Sequence, residues 1–251
     1  MKLTRRETVT MALAATAAAG IASLPGMAFA ADGDQIDLLK LMAPAGIPDR
    51  PIGNADAKVT LIEYASPTCI HCAVFSNTVL GPFIESYVNT GKVQLIVRPF
   101  ARNNLDALVF MLAEHAARAA EAAAVAAPAA EAPSMEASSE EPAMSTPVVS
   151  DAGGRAFEAV LAAFFRSRDS WIESSDPLNA MKSVAMQFGF TDAAFETART
   201  DLEYAKLLTP MRTQAVEEFG LTGTPTFYIN GKQTTGEASM EALAAAIDPL
   251  L

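Results

Sequence analysis

The chain has 251 residues, 51% of them hydrophobic, which suits one domain or one domain carrying an insertion. Its 18 basic and 29 acidic residues give a net charge of −11, which argues against nucleic acid and anionic membrane surfaces as partners. It holds two cysteines and two histidines, so no second Cys pair exists to complete a four-ligand zinc site.

Residues 1–30 have the form of an export signal. Thr4-Arg5-Arg6-Glu7 is a twin-arginine pair, an Ala-rich run extends from Val9 to Leu24, and Ala28-Phe29-Ala30 has the A-x-A form of a cleavage site. The run is too short and too rich in Ala and Thr for a membrane span, although a retained anchor is the alternative. Glu7-Thr8 stand where the twin-arginine pattern usually continues with a large apolar residue. Removing Lys2, Arg5, Arg6 and Glu7 leaves 15 basic and 28 acidic residues, a net of −13. Export places the chain in the periplasm, where disulfides persist.

Residues 31–57 form an N-terminal extension: a helical turn between Asp32 and Met42, then a loop from Pro44 to Ala57 broken by Pro48, Pro51 and Gly53. The run Val59–Tyr64 is apolar on both faces and predicts a central, covered strand. Glu63 interrupts it. It is either a strand-end residue turned to solvent or a buried acid that passes protons close to the cysteines.

Cys69-Ile70-His71-Cys72 follows, and Val74, Phe75, Val79, Leu80 and Phe83 continue at helical spacing. This predicts a helix from about Cys69 to Tyr87, broken near Gly81-Pro82. The pair therefore sits where a strand ends and a helix begins. Partial positive charge and unpaired N–H groups at a helix start favour a thiolate at Cys69, and His71 is a second source of positive charge. Strand, CxxC, helix is the context of a dithiol redox motif. A permanent disulfide is the blander reading, but closing so short a loop removes little unfolded-state entropy. Half a metal site is the other.

After a turn at Asn89-Thr90-Gly91, Val93–Val97 predicts a second strand, parallel to the first by the βαβ rule and ended by Arg98-Pro99. Residues 58–104 thus make the first half of the fold, and 105–219 a helical region. Asn104 is the expected cap of a helix bearing Leu105, Leu108, Val109 and Leu112, with His115 a surface or helix-end residue. From about Ala119 the composition turns to Ala, Glu, Pro and Ser. The helix extends to Ala127, and residues 128–150 are expected to be a disordered acidic spacer, unable to offset their ordering entropy.

Phe157, Val160, Leu161, Phe164 and Phe165 then form an apolar stripe, expected as core. Trp171 falls in the following turn. Asp176-Pro177 opens a helix closed by Gly189, and Thr191 caps the next. A longer helix runs from Leu202 to Phe219, with Pro210 expected to kink or divide it. Residues 220–251 supply the second half of the fold: Thr224-Pro225, a strand Thr226–Ile229, a hairpin turn at Asn230-Gly231, a returning strand Lys232 to Thr235, and a terminal helix Met240 to Ile247.

Taken together, the exported CxxC after a strand, Thr224-Pro225-Thr226-Phe227 before a hairpin, and the helical region between them resemble the DsbA-like branch of the thioredoxin superfamily. Glu63, six residues before Cys69, and His71, directly before Cys72, also match that branch. The resemblance covers Val59 to the C-terminus apart from the acidic tract. It implies an α/β thioredoxin fold with an inserted helical region, and a cis Pro225 facing the cysteines. Thr224, Pro225 and Ile70 would contact the client, the Thr224 backbone pairing with an extended client strand.

The implied activity is thiol:disulfide oxidoreduction without cofactor or bound metal. Cys69 would be the exposed sulfur, Cys72 the buried resolving one, and Glu63 the shuttle for the Cys72 proton. The clients would be reduced or unfolded exported proteins, and a membrane partner resembling DsbB would reoxidise the chain. Ile70 stands where oxidising members often carry Pro, so a reductase or isomerase of the same fold is the first alternative. The second is a non-enzymatic periplasmic module binding metal through Cys69, His71 and Cys72.

Overall fold

The computed structural model describes residues 35–126, 151–235 and 239–251. The expected export signal and the acidic tract at 128–150 lie outside the described residues. Five strands form one sheet: β1 (Pro51–Ile52), β2 (Val59–Ala65), β3 (Val93–Pro99), β4 (Thr226–Ile229) and β5 (Lys232–Thr235), in the order β1-β3-β2-β4-β5. β2 and β3 are parallel, in register from Val59 opposite Val93 to Ala65 opposite Pro99. The pairs β1–β3, β2–β4 and β4–β5 are antiparallel. β2 is therefore flanked on both sides, which accounts for its apolar run.

The side-chain period of two divides the core into two layers. Val59, Leu61, Ala65, Val93, Leu95, Val97, Phe227 and Ile229 face the larger layer, with most of the helices. Ile62, Tyr64, Ile96 and Tyr228 face the smaller one, closed by Leu41, Ala215, Phe219 and Leu221. Leu41 comes from the single turn α1 (Leu38–Leu41). Arg98 is buried in the smaller layer's surroundings. It pairs with Asp49 through two bonds of 2.6 and 2.7 Å and donates to the Tyr64 hydroxyl at 2.9 Å. A buried guanidinium is tolerable only with such partners.

Several elements depart from the sequence expectation for identifiable reasons. β1 lies in a stretch read as loop; it is two residues long, too short for any periodicity to show. Arg98-Pro99 extends β3 rather than ending it, because Pro99 is the last rung and the next amide, Phe100, donates to the Ala65 carbonyl at 2.9 Å. The helix after the cysteines does not break at Gly81-Pro82. It runs as α2 (Ile70–Phe75), a π-type stretch Ser76–Leu80, α3 (Gly81–Phe83) and a second π-type stretch Ile84–Val88. The wider π turns loosen the i→i−4 ladder, where a proline ring would otherwise clash.

α4 (Asn104–Ala126) is capped by Asn103, not Asn104: the Asn103 Oδ1 accepts from the amides of Leu105 and Asp106, both at 2.9 Å. His115 lies mid-helix and half-buried, its ring 5.9 Å from that of Phe190. α5 (Ala152–Arg166) lies along α4. A Cβ on Gly154 would run into the Pro51 carbonyl, so glycine lets α5 approach β1 closely. Trp171 sits inside a short helix, α6 (Arg168–Ile172), fully buried, and donates to the Phe164 carbonyl at 3.0 Å. α7 (Pro177–Gln187), α8 (Asp192–Arg199) and α9 (Leu202–Glu217) are capped by Asp176, Thr191 and Asp201. Pro210 does not divide α9. α10 (Met240–Ile247) packs Leu243 and Ile247 onto the larger layer.

Candidate active site

β2 ends at Ala65, and the loop Ser66-Pro67-Thr68 leads into α2. Cys69 is the N-cap of α2, with extended backbone (φ −82°, ψ 123°). Its sulfur therefore lies among the free amides of the first turn. Cys72 is one turn further in and 0% exposed, and the Ser66 amide donates to its sulfur at 3.5 Å. Both cysteines are free thiols. Cys69 is not the openly exposed sulfur that the resemblance implies. It is 6% exposed, because the turn before β4 packs over it: the Cys69 S–H donates to the Thr224 carbonyl at 3.1 Å.

That turn is built by the Thr224-Pro225 peptide bond, which is cis. The Thr226 hydroxyl donates to the Gly223 carbonyl at 2.8 Å within it. β4 pairs with β2 from Thr226 opposite Tyr64 to Ile229 opposite Leu61, and Phe75 of α2 contacts Phe227 of β4, ring centroids 4.8 Å apart. Neighbouring strands thus hold residues 224–225 against residue 69.

The electrostatics of the two sulfurs are opposite. The Cys69 thiol is drawn down to about 4, first by the hydrogen bond from Cys72 and then by Thr224 and the backbone amides of Cys72 and His71, against the opposing effect of its own burial. The Thr224 hydroxyl is buried and without a hydrogen-bond partner elsewhere. Cys72 is pushed well above the ordinary thiol range, chiefly by burial and then by its bond to Cys69. His71 is exposed, and the amide it supplies to Cys69 belongs to its backbone.

Glu63 is 2% exposed, which removes the solvent-facing alternative. Burial, the nearby carboxyl of Glu158 and the Cys69 sulfur raise its carboxyl to about 8. Glu158, on α5, is itself raised by burial, so two acids lie behind the cysteines where sequence reading found one. Ile70 is 49% exposed and Val74 45%. They line one side of a cleft of about 360 Å³, whose other wall is residues 165–170 at the junction of α5 and α6.

Sequence reading also missed the polar frame of the 66–68 loop. Asp106, 0% exposed, accepts from the Thr68 amide at 2.7 Å, the Ser66 hydroxyl at 2.8 Å and the Arg102 amide at 2.9 Å. Arg102 donates to the Ser66 hydroxyl at 2.8 Å and the Thr68 hydroxyl at 2.9 Å. From the far side, Arg168 donates to the Thr68 carbonyl at 2.9 Å. An Asp one turn into a predicted helix looks like an ordinary first-turn acid, so nothing local marks it.

Among the described residues no three His, Cys, Asp or Glu side chains converge as a metal-holding cluster, and no helix is long and apolar enough to cross a membrane.

Comparison with known proteins gives a consistent picture. A thioredoxin family model matches residues 47–249. A relative from Rickettsia bellii, bearing a provisional name as a protein-disulfide oxidoreductase, is 22% identical over 80% of this chain and 63% of its own length. One from Rickettsia conorii, provisionally named in the same way, is 22% identical over 81% of this chain and 60% of its own. The chain thus spans roughly three fifths of the length of these curated relatives. Among solved structures, alpha-DsbA1 of Wolbachia pipientis has a TM-score of 0.64 at 22% identity, covering 84% of this chain and 94% of that one. A protein-disulfide isomerase from Novosphingobium aromaticivorans has a TM-score of 0.58 at 22% identity, covering 83% and 99%. These likenesses show a thioredoxin fold with the helical insertion of the DsbA type.

Proposed function

Because the chain belongs to the thioredoxin family, we propose that it is an exported thiol:disulfide oxidoreductase that introduces disulfides into reduced proteins in the periplasm. The observation that carries this reading is the pairing of an acidified Cys69, 3.1 Å from the Thr224 carbonyl beside cis Pro225, with a buried and unacidified Cys72.

The exchange uses the two sulfurs in order. In the oxidised chain a client thiolate attacks Cys69 of the Cys69–Cys72 disulfide. The bond between the two cysteines breaks, a mixed disulfide forms between the client and Cys69, and Cys72 leaves as a thiolate. Cys72 is too deeply buried to remain charged. The protonated carboxyl of Glu63 supplies its proton, directly or through one water. A second client thiolate then attacks the client sulfur of the mixed disulfide. The client disulfide closes, and Cys69 leaves as the thiolate that the helix start and the Cys72 S–H stabilise. Two electrons pass from the client to the chain.

Each pKa unit by which Cys69 falls is worth about 1.4 kcal/mol in favour of the reduced form, equivalent to roughly 30 mV of a two-electron couple. Ile70 and Thr224 would receive the client backbone on either side of Cys69. Clients would be reduced exported proteins, and a membrane partner resembling DsbB would restore the disulfide. Arg5-Arg6 and Ala28-Phe29-Ala30 support export.

The deciding experiment measures the redox potential of the Cys69–Cys72 couple and the ability of the oxidised chain to bridge a reduced test polypeptide. An oxidising potential with bridge formation is expected. A strongly reducing potential with reduction of a model disulfide would instead establish the reductase or isomerase reading, for which Ile70, standing where oxidising members often carry Pro, is the supporting feature. Metal bound in stoichiometric amount without dithiol activity would establish the binding module.

A further inference from the structure

The loop that delivers Cys69 is short, contains a proline, and would be free to shift if only the peptide links to β2 and α2 held it. Its polar atoms are instead claimed by residues at the start of the helical insertion. We propose that Asp106 is a positioning residue for the redox centre: with Arg102 it locks Ser66-Pro67-Thr68, so that the Cys69 sulfur stays over the first turn of α2 and against the Thr224 carbonyl. This rests on the proposed disulfide chemistry and assigns a role in it to a residue 37 positions from the first cysteine.

The geometry is specific. Both carboxylate oxygens of Asp106 are used on the loop: Oδ1 by the Thr68 amide at 2.7 Å, and Oδ2 by the Ser66 hydroxyl at 2.8 Å. Thr68 is the residue before Cys69, and holding its amide fixes the Pro67–Thr68 peptide plane, one peptide before the link to the cysteine. Ser66 has the second link to the chemistry. Its amide donates to Cys72 at 3.5 Å, and its carbonyl accepts the Cys69 amide at 2.9 Å. One carboxylate therefore sets the framework of both sulfurs without touching either.

The carboxylate is itself held. The Arg102 amide donates to Oδ2 at 2.9 Å, the Arg102 Nε lies 3.8 Å from the same oxygen, and Asn103 caps the Asp106 amide. Arg102 and Asn103 also donate to the Thr68 hydroxyl, at 2.9 and 3.1 Å. A carboxylate buried this completely needs several donors, and removing it strands the Thr68 amide and leaves the Ser66 hydroxyl only its longer contact to the Thr68 hydroxyl as an acceptor. The loop then has reason to move toward water and to carry Cys69 with it.

The test compares the unaltered chain with Asp106→Ala and Asp106→Asn. The readout is the Cys69 thiolate, titrated by its ultraviolet absorbance and by the pH dependence of alkylation, beside the denaturant midpoint of each reduced protein. Asp106→Ala is expected to raise the Cys69 pKa by about one unit, so that alkylation slows, approaching about tenfold, only where the pH is below about 4. Asp106→Asn, which can still accept the Thr68 amide, is expected to give a smaller rise and carries the test if the Ala variant does not fold. Leu41→Ala, in the smaller core layer on the other face of the sheet, serves as a chain destabilised away from the loop and should keep the original thiol.

An unchanged Cys69 in a folded Asp106 variant overturns the proposal and leaves the disulfide chemistry standing. So does a shift of the same size in Leu41→Ala, since loss of stability alone would then explain it. An ordinary thiol in the unaltered chain overturns both readings at once.

Discussion

The two sulfurs and the acid behind them form one coupled titrating group. Cys69 has a folded-state pKa of about 4, below that of a free thiol, so its ionisation favours the folded reduced protein. That contribution is complete above the unfolded-state pKa and is lost as pH falls through about 4. Glu63 works in the opposite sense. Raised to about 8 by burial, it makes the folded state less stable as pH climbs from the ordinary carboxylate range toward 8. Only the reduced form carries the Cys69 effect, while both forms carry Glu63. The excess stability of the reduced over the oxidised protein, from paired denaturant curves, should therefore shrink steadily between pH 9 and pH 4. A constant gap across that range would contradict an acidified Cys69. Replacing Glu63 with Gln should raise the stability of the oxidised protein at neutral pH and slow the release of Cys72 from the disulfide. Loss of stability there would show that Glu63 is paired as a carboxylate instead.

At the scale of elements, the site depends on what holds α2, β4 and α5 in place. β4 is fixed by pairing on both sides, and its hairpin closes through Asn230 at φ 48° and Gly231 at φ 86°, the left-handed pair that an Asn-Gly turn requires. α4 is tied to the sheet edge by ions, and α5 by close packing. Arg50 forms a two-bond pair with Glu114 at 2.7 and 2.8 Å and also meets Glu121, while Arg118 bridges Glu114 to Asp201. Close packing completes the joint where Gly154 meets Pro51. Gly154→Ala should overpack it and cost about 1–3 kcal/mol, seen as a lower denaturant midpoint. A neutral result would mean that α5 can slide away from β1 at little cost.

For the molecule as a whole, the larger core layer joins the sheet face to the helical insertion, so the insertion is part of the same folding unit as the CxxC. The acidic tract at 128–150 is bounded by α4, which ends at Ala126, and α5, which begins at Ala152. Read as a solvated spacer, it should be removable: a chain lacking 128–150, rejoined by a short flexible linker, is expected to retain the disulfide-exchange rate of the full chain. A lost rate in a folded deletion would give the tract a part in client or partner binding.

The sequence by itself determined the placement of the cysteines at a strand-to-helix junction, the buried run of β2, and the Thr-Pro turn ahead of a hairpin. Each is written in neighbouring residues through strand and helix periodicity, turn chemistry and the CxxC spacing. Only the tertiary structure decided what surrounds the sulfurs. Thr224 meets Cys69, Glu158 stands near Glu63, and Asp106 and Arg168 frame the 66–68 loop, although these partners are separated by roughly 40 to 155 residues along the chain. It also carried the helix through Pro82 on π-type turns and moved the cap of α4 to Asn103. Contacts of that kind come from sheet order and packing between layers. A local pattern of residue types has no term for them, so a buried Asp with three donors and an exposed first-turn Asp look the same until the chain is folded.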